Sequence, residues 1–186
     1  MKLAITKSLE EMRRVLRDSN AVGPDPVYWV FREIPGPTWK NMTVIPPGDF
    51  NGEYTKTVGH YHVNKSGGIN YYIVSGIGVF VMQKKNMDEN NLFTPEIVSE
   101  VQVKRVKQGE TIEMTSDYGH CLVNIGDEPL ITYDDHAVDH VPEDYAAVEK
   151  LHGMAYYLFK ENGKVKVVPN PHYPNFSASV LEDSLA

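Results

Sequence analysis

Residues 155–169 read AYYLFKENGKVKVVP. Two runs rich in Tyr, Phe, Leu and Val flank Asn162-Gly163, a pair that suits the centre of a type I′ turn, so the stretch predicts a β-hairpin. The same grammar repeats outward along the chain. VYWVFREI (27–34), NMTVIP (41–46), NYYIVS (70–75), IGVFVMQ (77–83), EIVSEVQVKRV (96–106), TIEMT (111–115), CLVNI (121–125) and PLITYDD (129–135) are short and rich in β-branched and aromatic residues. Turn-forming runs such as PGPT, PPGDFNG, SGIG, KQGE and IGDEP separate them. Many short strands at this spacing predict an all-β antiparallel sandwich or barrel rather than βαβ units.

Two peripheral helices are predicted. Residues 8–18 open with Ser8 and carry Glu11 three positions later, a capping-box pattern, with Leu9, Met12, Val15 and Leu16 on one stripe. Residues 142–151 open with Pro142 and end at His152-Gly153, a stop signal. The expected organisation is one domain over 1–186, with a helical arm at 1–24 and a proline-rich, then acidic, tail at 174–186.

Composition excludes several function classes. Eighteen Lys and Arg against twenty-five Asp and Glu leave a net charge of −7, which argues against binding a nucleic-acid backbone. A hydrophobic share of 41% is too high for a disordered chain. No apolar run approaches the roughly 20 residues of a membrane-spanning helix. The first twenty residues lack the apolar stretch of a secretory signal, and a single cysteine, Cys121, forms no internal disulfide; both fit a cytoplasmic protein.

The chemistry concentrates in histidines. In TVGHYHV (57–63), His60 and His62 stand two apart on a predicted strand, so both imidazoles leave the same face. Two nitrogens held in this way can bind one metal ion at about 2.1 Å each, although a lone His-x-His pair also arises by chance. A third candidate is His120, which follows the Gly109 turn and a short strand. Of the remainder, His152 reads as a helix cap, His172 as part of the terminal arm and His140 as loop polarity.

These segments, with Gly109, Thr115, Asp117, His120 and Asn124 spaced as the second of two motifs, resemble the cupin superfamily. The runs TVIPPG, TVGHYHV, GHCLVNIGDEPL and ENGKVKVVPNP are similar to the cupin-type (archaeal-type) glucose-6-phosphate isomerases over roughly residues 25–173. The resemblance implies a jelly-roll-like antiparallel β-barrel in which His60, His62 and His120 converge on one divalent transition metal. Iron comes first, with zinc, nickel, manganese or cobalt as alternatives. It further implies that Thr43, Thr57 and Gly59 contact a sugar phosphate and that Tyr71 and Tyr145 face the substrate. By analogy with cupins that pair through barrel edges, it also implies a homodimer.

The chain departs from that pattern at three positions. The family's fourth ligand, a glutamate seven residues before the glycine that closes the first motif, is here Ile69. A family tyrosine is replaced by His136, and a family histidine before the Asp-Tyr pair by Glu143. His136 and Glu143 are accordingly the candidate proton-moving residues, with Asp134 as a further candidate. The expected function is a metal-dependent sugar-phosphate isomerase. A three-histidine metal oxygenase and a non-catalytic sugar-phosphate binder are the alternatives.

Overall fold

The computed structural model describes residues 1–62, 67–137, 144–173 and 175–182, the last of these as backbone only. In chain order the elements are β1 (Lys2–Lys7), α1 (Leu9–Met12), a 3-10 turn (Arg13–Val15), β2 (Tyr28–Arg32), β3 (Asn41–Ile45), β4 (Asp49–Phe50), β5 (Glu53–Tyr54), β6 (Ile69–Ser75) and β7 (Ile77–Lys84). They continue with β8 (Ile97–Lys107), β9 (Thr111–Met114), β10 (Tyr118–Asn124), β11 (Leu130–Asp134), α2 (Ala146–Lys150), β12 (Tyr156–Glu161), β13 (Lys164–Pro169) and β14 (Asn175–Glu182). The strands form three sheets, ordered β1-β2-β3-β11-β6-β9, β10-β7-β8-β14 and β13-β12-β5-β4. This is the all-β, cupin-like architecture the sequence predicts, with two short helices outside it.

The β12–β13 hairpin turns at Asn162 and Gly163, both at positive φ (52° and 74°), with Glu161 opposite Lys164. Strand alternation then builds the core. Ile69, Tyr71 and Ile73 of β6 are buried while the residues between them are partly exposed. Tyr71 packs against Phe80 of β7 with ring centroids 5.2 Å apart. Gly78 leaves room for Leu130, which a side chain on that residue would strike.

Several expectations are corrected. The N-terminal arm is not purely helical: Lys2–Lys7 pairs antiparallel with β2 at the end of its sheet. The helix predicted over 8–18 begins with the expected capping box but ends early. Leu16 turns to extended backbone and is buried, and the next amide, Arg17 N, donates to the buried Glu53 carboxylate at 2.9 Å. The second helix is shorter than predicted, and Pro142 lies outside the described residues. Its stop holds, with His152 and Gly153 at positive φ. The expected C-terminal tail includes β14, which runs parallel to β8, the one parallel pairing among the described strands.

Candidate metal centre and cavity

The segment after β5 zips along the free edge of β10. Asn124 N donates to Thr55 O, Thr57 N to Leu122 O, and His60 and His120 exchange both backbone hydrogen bonds. Between the Thr57/Leu122 contact and the His60/His120 pair, one strand advances three residues and the other two. An extra residue therefore sits at Val58-Gly59, a β-bulge made possible by Gly59 at φ 84°. The bulge matters because side chains alternate. Thr57 and Leu122 both line the same cavity, and without the insertion residue 59 rather than 60 would share that face with His120. Here His60 and His62 lie on an extended segment held by isolated bridges, a correction to the regular strand predicted for them.

The three imidazoles meet. Ring centroids are 4.6 Å apart for His60 and His120, 5.1 Å for His60 and His62, and 5.2 Å for His62 and His120. One ligand nitrogen from each lies within 4.8 Å of the others. Between the two cluster histidines of the first segment, Tyr61 points the other way, into the core, where its ring fills the space left by Gly119.

The donor set fits a cation. Burial, reinforced by neighbouring His62 and His136, pushes the His120 pKa down to about 3, so its imidazole is neutral and able to donate a lone pair. Its Nε2 is hydrogen-bonded to the Tyr71 hydroxyl at 3.1 Å, and its Nδ1 is buried with no hydrogen-bond partner among the described residues. A buried nitrogen left without a partner is costly, and beside two more imidazoles it fits a metal ligand set.

A cavity of about 790 Å³, open mouth included, lies over His60 and His120. Thr43, Thr57, Gly59, Tyr71, Tyr145 and His136 line it, so the structure brings these sequence-predicted residues to one place. The Tyr145 ring is tilted against that of His60 with centroids 5.4 Å apart, and the His136 ring meets that of His62 edge-on at 5.4 Å. Glu143 and His140 lie outside the described residues. Ile69 is buried at the start of β6, opposite Met114 of β9. Cys121 is a free thiol buried beside the site, and burial raises its pKa to about 11.

Arg32, Asn41 and Thr132 escaped the sequence reading, whereas Asp134 was a further candidate in it. Register places Arg32 of β2 opposite Asn41 of β3, Asn41 opposite Asp134 of β11, and Asp134 opposite Tyr71 of β6. A polar rung thus crosses four strands toward His120, and Arg32, Asn41 and Asp134 all line the cavity. The next rung carries Val30, Thr43 and Thr132. Asn41 Nδ2 donates to Asp134 Oδ1 (2.6 Å) and to the His136 carbonyl (2.9 Å), while His136 N donates to Asp134 Oδ1 (3.1 Å). The signal was present in the alternation of Tyr28, Val30 and Arg32 on the inward face of β2, an arginine at a position of core parity.

Comparison with known proteins agrees with this geometry. The Glucose-6-phosphate isomerase (GPI) family model matches residues 38–175. The glucose-6-phosphate isomerase of Pyrococcus horikoshii is 30% identical over 133 residues, covering 72% of this chain and 63% of that protein. The match thus spans just under two thirds of that relative's length. The Thermococcus gammatolerans enzyme of the same name is 28% identical over 178 residues, 91% of this chain and 87% of its own. Among solved structures, the Drosophila melanogaster CENP-C cupin domain aligns over 64% of this chain and 77% of its own at 10% identity and a TM-score of 0.40. With the family match running through both histidine segments and three of the four rung strands, β3, β6 and β11, this chain belongs to the glucose-6-phosphate isomerase family.

Proposed function

We propose that this chain is a metal-dependent isomerase that interconverts glucose 6-phosphate and fructose 6-phosphate. The observation that carries the reading is the convergence of His60, His62 and His120 beneath a cavity lined by hydroxyls, in a member of this family. An all-imidazole donor set suits iron, zinc, nickel, cobalt or copper, iron being the first choice. A divalent ion held there supplies Lewis acidity toward neighbouring sugar oxygens.

The side chains do the rest. Aldose–ketose exchange takes hydrogen from C2, returns it to C1, and moves the carbonyl from C1 to C2. That transfer needs a base within hydrogen-bond reach of the carbon acid. With Ile69 in place of a carboxylate, the reading gives this task to His136, whose backbone Asn41 and Asp134 clamp at the cavity wall. Glu143 is the second candidate by sequence position. Thr43, Thr57 and Gly59 contact the sugar phosphate, and Tyr71 and Tyr145 face it. The reading extends to a cytoplasmic homodimer, in keeping with a lone free cysteine and with β1 at a sheet end carrying exposed Leu3.

The test is metal analysis of the purified protein followed by isomerase assay on fructose 6-phosphate, with and without the metal found. Metal-loaded protein that forms no glucose 6-phosphate overturns the isomerase reading. The absence of a carboxylate at Ile69 favours one second reading, a three-histidine oxygenase. Oxygen uptake by the loaded protein with a small polar substrate is the result that selects it.

A further inference from the structure

The polar rung contains a cation and an acceptor that no step above employs. Among the described cavity-lining residues Arg32 is the only Lys or Arg, in a chain whose net charge is −7. It faces inward with Tyr28 and Val30, and its register partner across β2–β3 is Asn41. The Asn41 carboxamide has no freedom to rotate usefully. Its donations to Asp134 and to the His136 carbonyl both come from Nδ2, which fixes Oδ1 as the remaining group. That oxygen is buried, in a residue 6% exposed, and has no hydrogen-bond partner among the described residues. One rung along, the Thr132 hydroxyl is fully buried in the same lining and is likewise without a partner there. Buried polar atoms left unsatisfied are costly, so two of them in one cavity wall mark where a ligand supplies the missing bonds.

We propose that Arg32, Asn41 and Thr132 form the specificity-determining subsite of the cavity: Arg32 takes the anionic group of the substrate, and Asn41 Oδ1 and Thr132 Oγ1 take hydroxyls next to it. The inference rests on the sugar-phosphate reading for its ligand. A planar guanidinium matches a phosphate with paired hydrogen bonds, which a compact ammonium does not reproduce. An acceptor with no proton of its own selects a hydroxyl donor and rejects a deoxy position, since the latter leaves Oδ1 buried and bare.

Binding rather than turnover tests it. Wild type, Arg32→Gln, Arg32→Lys and Asn41→Leu are titrated calorimetrically with fructose 6-phosphate, fructose and inorganic phosphate, each protein first shown to be folded by its circular dichroism. Arg32→Gln is expected to weaken fructose 6-phosphate and phosphate by about tenfold to a hundredfold while leaving fructose unchanged. Arg32→Lys is expected to recover only part of the loss. Asn41→Leu is expected to weaken fructose and fructose 6-phosphate alike and to leave phosphate alone. Equal affinity of wild type and folded Arg32→Gln for fructose 6-phosphate overturns the subsite. Wild type that binds with the expected variant pattern yet shows no isomerisation keeps the subsite and overturns the isomerase reading. Wild type that binds neither sugar phosphate nor phosphate overturns both.

Discussion

His60 and His120 face each other as a hydrogen-bonded antiparallel pair, His60 N donating to His120 O at 3.1 Å and His120 N to His60 O at 3.0 Å. Sixty residues apart in the chain, they are thus locked side by side by main chain, with their rings 4.6 Å apart. The donor set is organised by the sheet itself, so the ordering entropy of assembling it belongs to folding and not to metal binding.

Removal of one donor is the most direct probe. His62→Ala is expected to leave the fold intact and to lower the metal content of purified protein from about one ion per chain to a small fraction of that. Elemental analysis reads the result. Unchanged metal content removes His62 from the ligand set.

The bulge makes a second prediction. Gly59→Ala forces an L residue to φ 84° and places a methyl group 3.0 Å from Met154 Sδ and 3.1 Å from the Cys121 Cβ. Strain and overpacking together are expected to cost about 1–3 kcal/mol, with a further loss of metal affinity because His60 turns from the cluster. Urea unfolding and metal titration of the same variant measure both. A variant as stable as wild type and as tight for metal shows that the bulge does not aim His60.

Gln83 carries a different kind of burden. It is fully buried, its Nε2 donates to the Tyr61 hydroxyl and to the Tyr173 hydroxyl (3.1 Å), and its Oε1 accepts from Ala155 N (2.7 Å). Gln83→Met preserves volume but leaves three buried polar groups to find other partners. The expected loss is about 2–4 kcal/mol in urea unfolding, with metal content retained. A loss under about 0.5 kcal/mol, the scale of ordinary surface changes, contradicts this role.

At the first helix, stability should depend on pH through Glu11. Hydrogen bonds from the Ser8 backbone and hydroxyl, aided by Lys7, draw its pKa from 4.5 down to about 2. Because the folded value is the lower one, the carboxylate's contribution is complete above pH 4.5 and disappears as pH falls toward 2. The side chain is 43% exposed, so the effect of Glu11→Gln is held by solvent screening to about 0.5 kcal/mol at pH 7. The variant and wild type should converge in urea midpoint as pH approaches 2. A gap that stays constant from pH 7 to 2 assigns the effect to something other than the charge.

The strands and one of the three pairings in the metal cluster, His60 with His62, were legible because they are local. Alternation and turn residues define β2, β3 and β6–β13 within a residue or two, except that β10 begins three residues before the predicted start at Cys121, and His60 and His62 share a face by a spacing of two. What escaped was non-local. Residues 175–182 read as a tail because nothing in NFSASVLE announces that β8 offers it a parallel edge. Arg32 and Asn41 went unremarked because the rung that joins them exists only through register between strands. Gly59 was read as a substrate contact, and its part in the bulge follows from pairing with β10, which sequence alone does not show.

Restoring the family's acid is the sharpest remaining test. Ile69 begins the inward row Ile69, Tyr71, Ile73, and Tyr71 touches His120, so a carboxylate at 69 enters the wall beside the cluster. Ile69→Glu buries a charge opposite Met114, which in metal-free protein is expected to lower the melting temperature by several degrees, about 1–3 kcal/mol. Added metal should recover more stability in the variant than in wild type, since an ion that favours the folded state stabilises in proportion to its affinity. Tighter metal binding together with a faster isomerase rate identifies the missing acid as what limits this chain. Tighter binding with no change in rate leaves proton transfer to His136, and no change in either shows that a side chain at position 69 does not reach the metal.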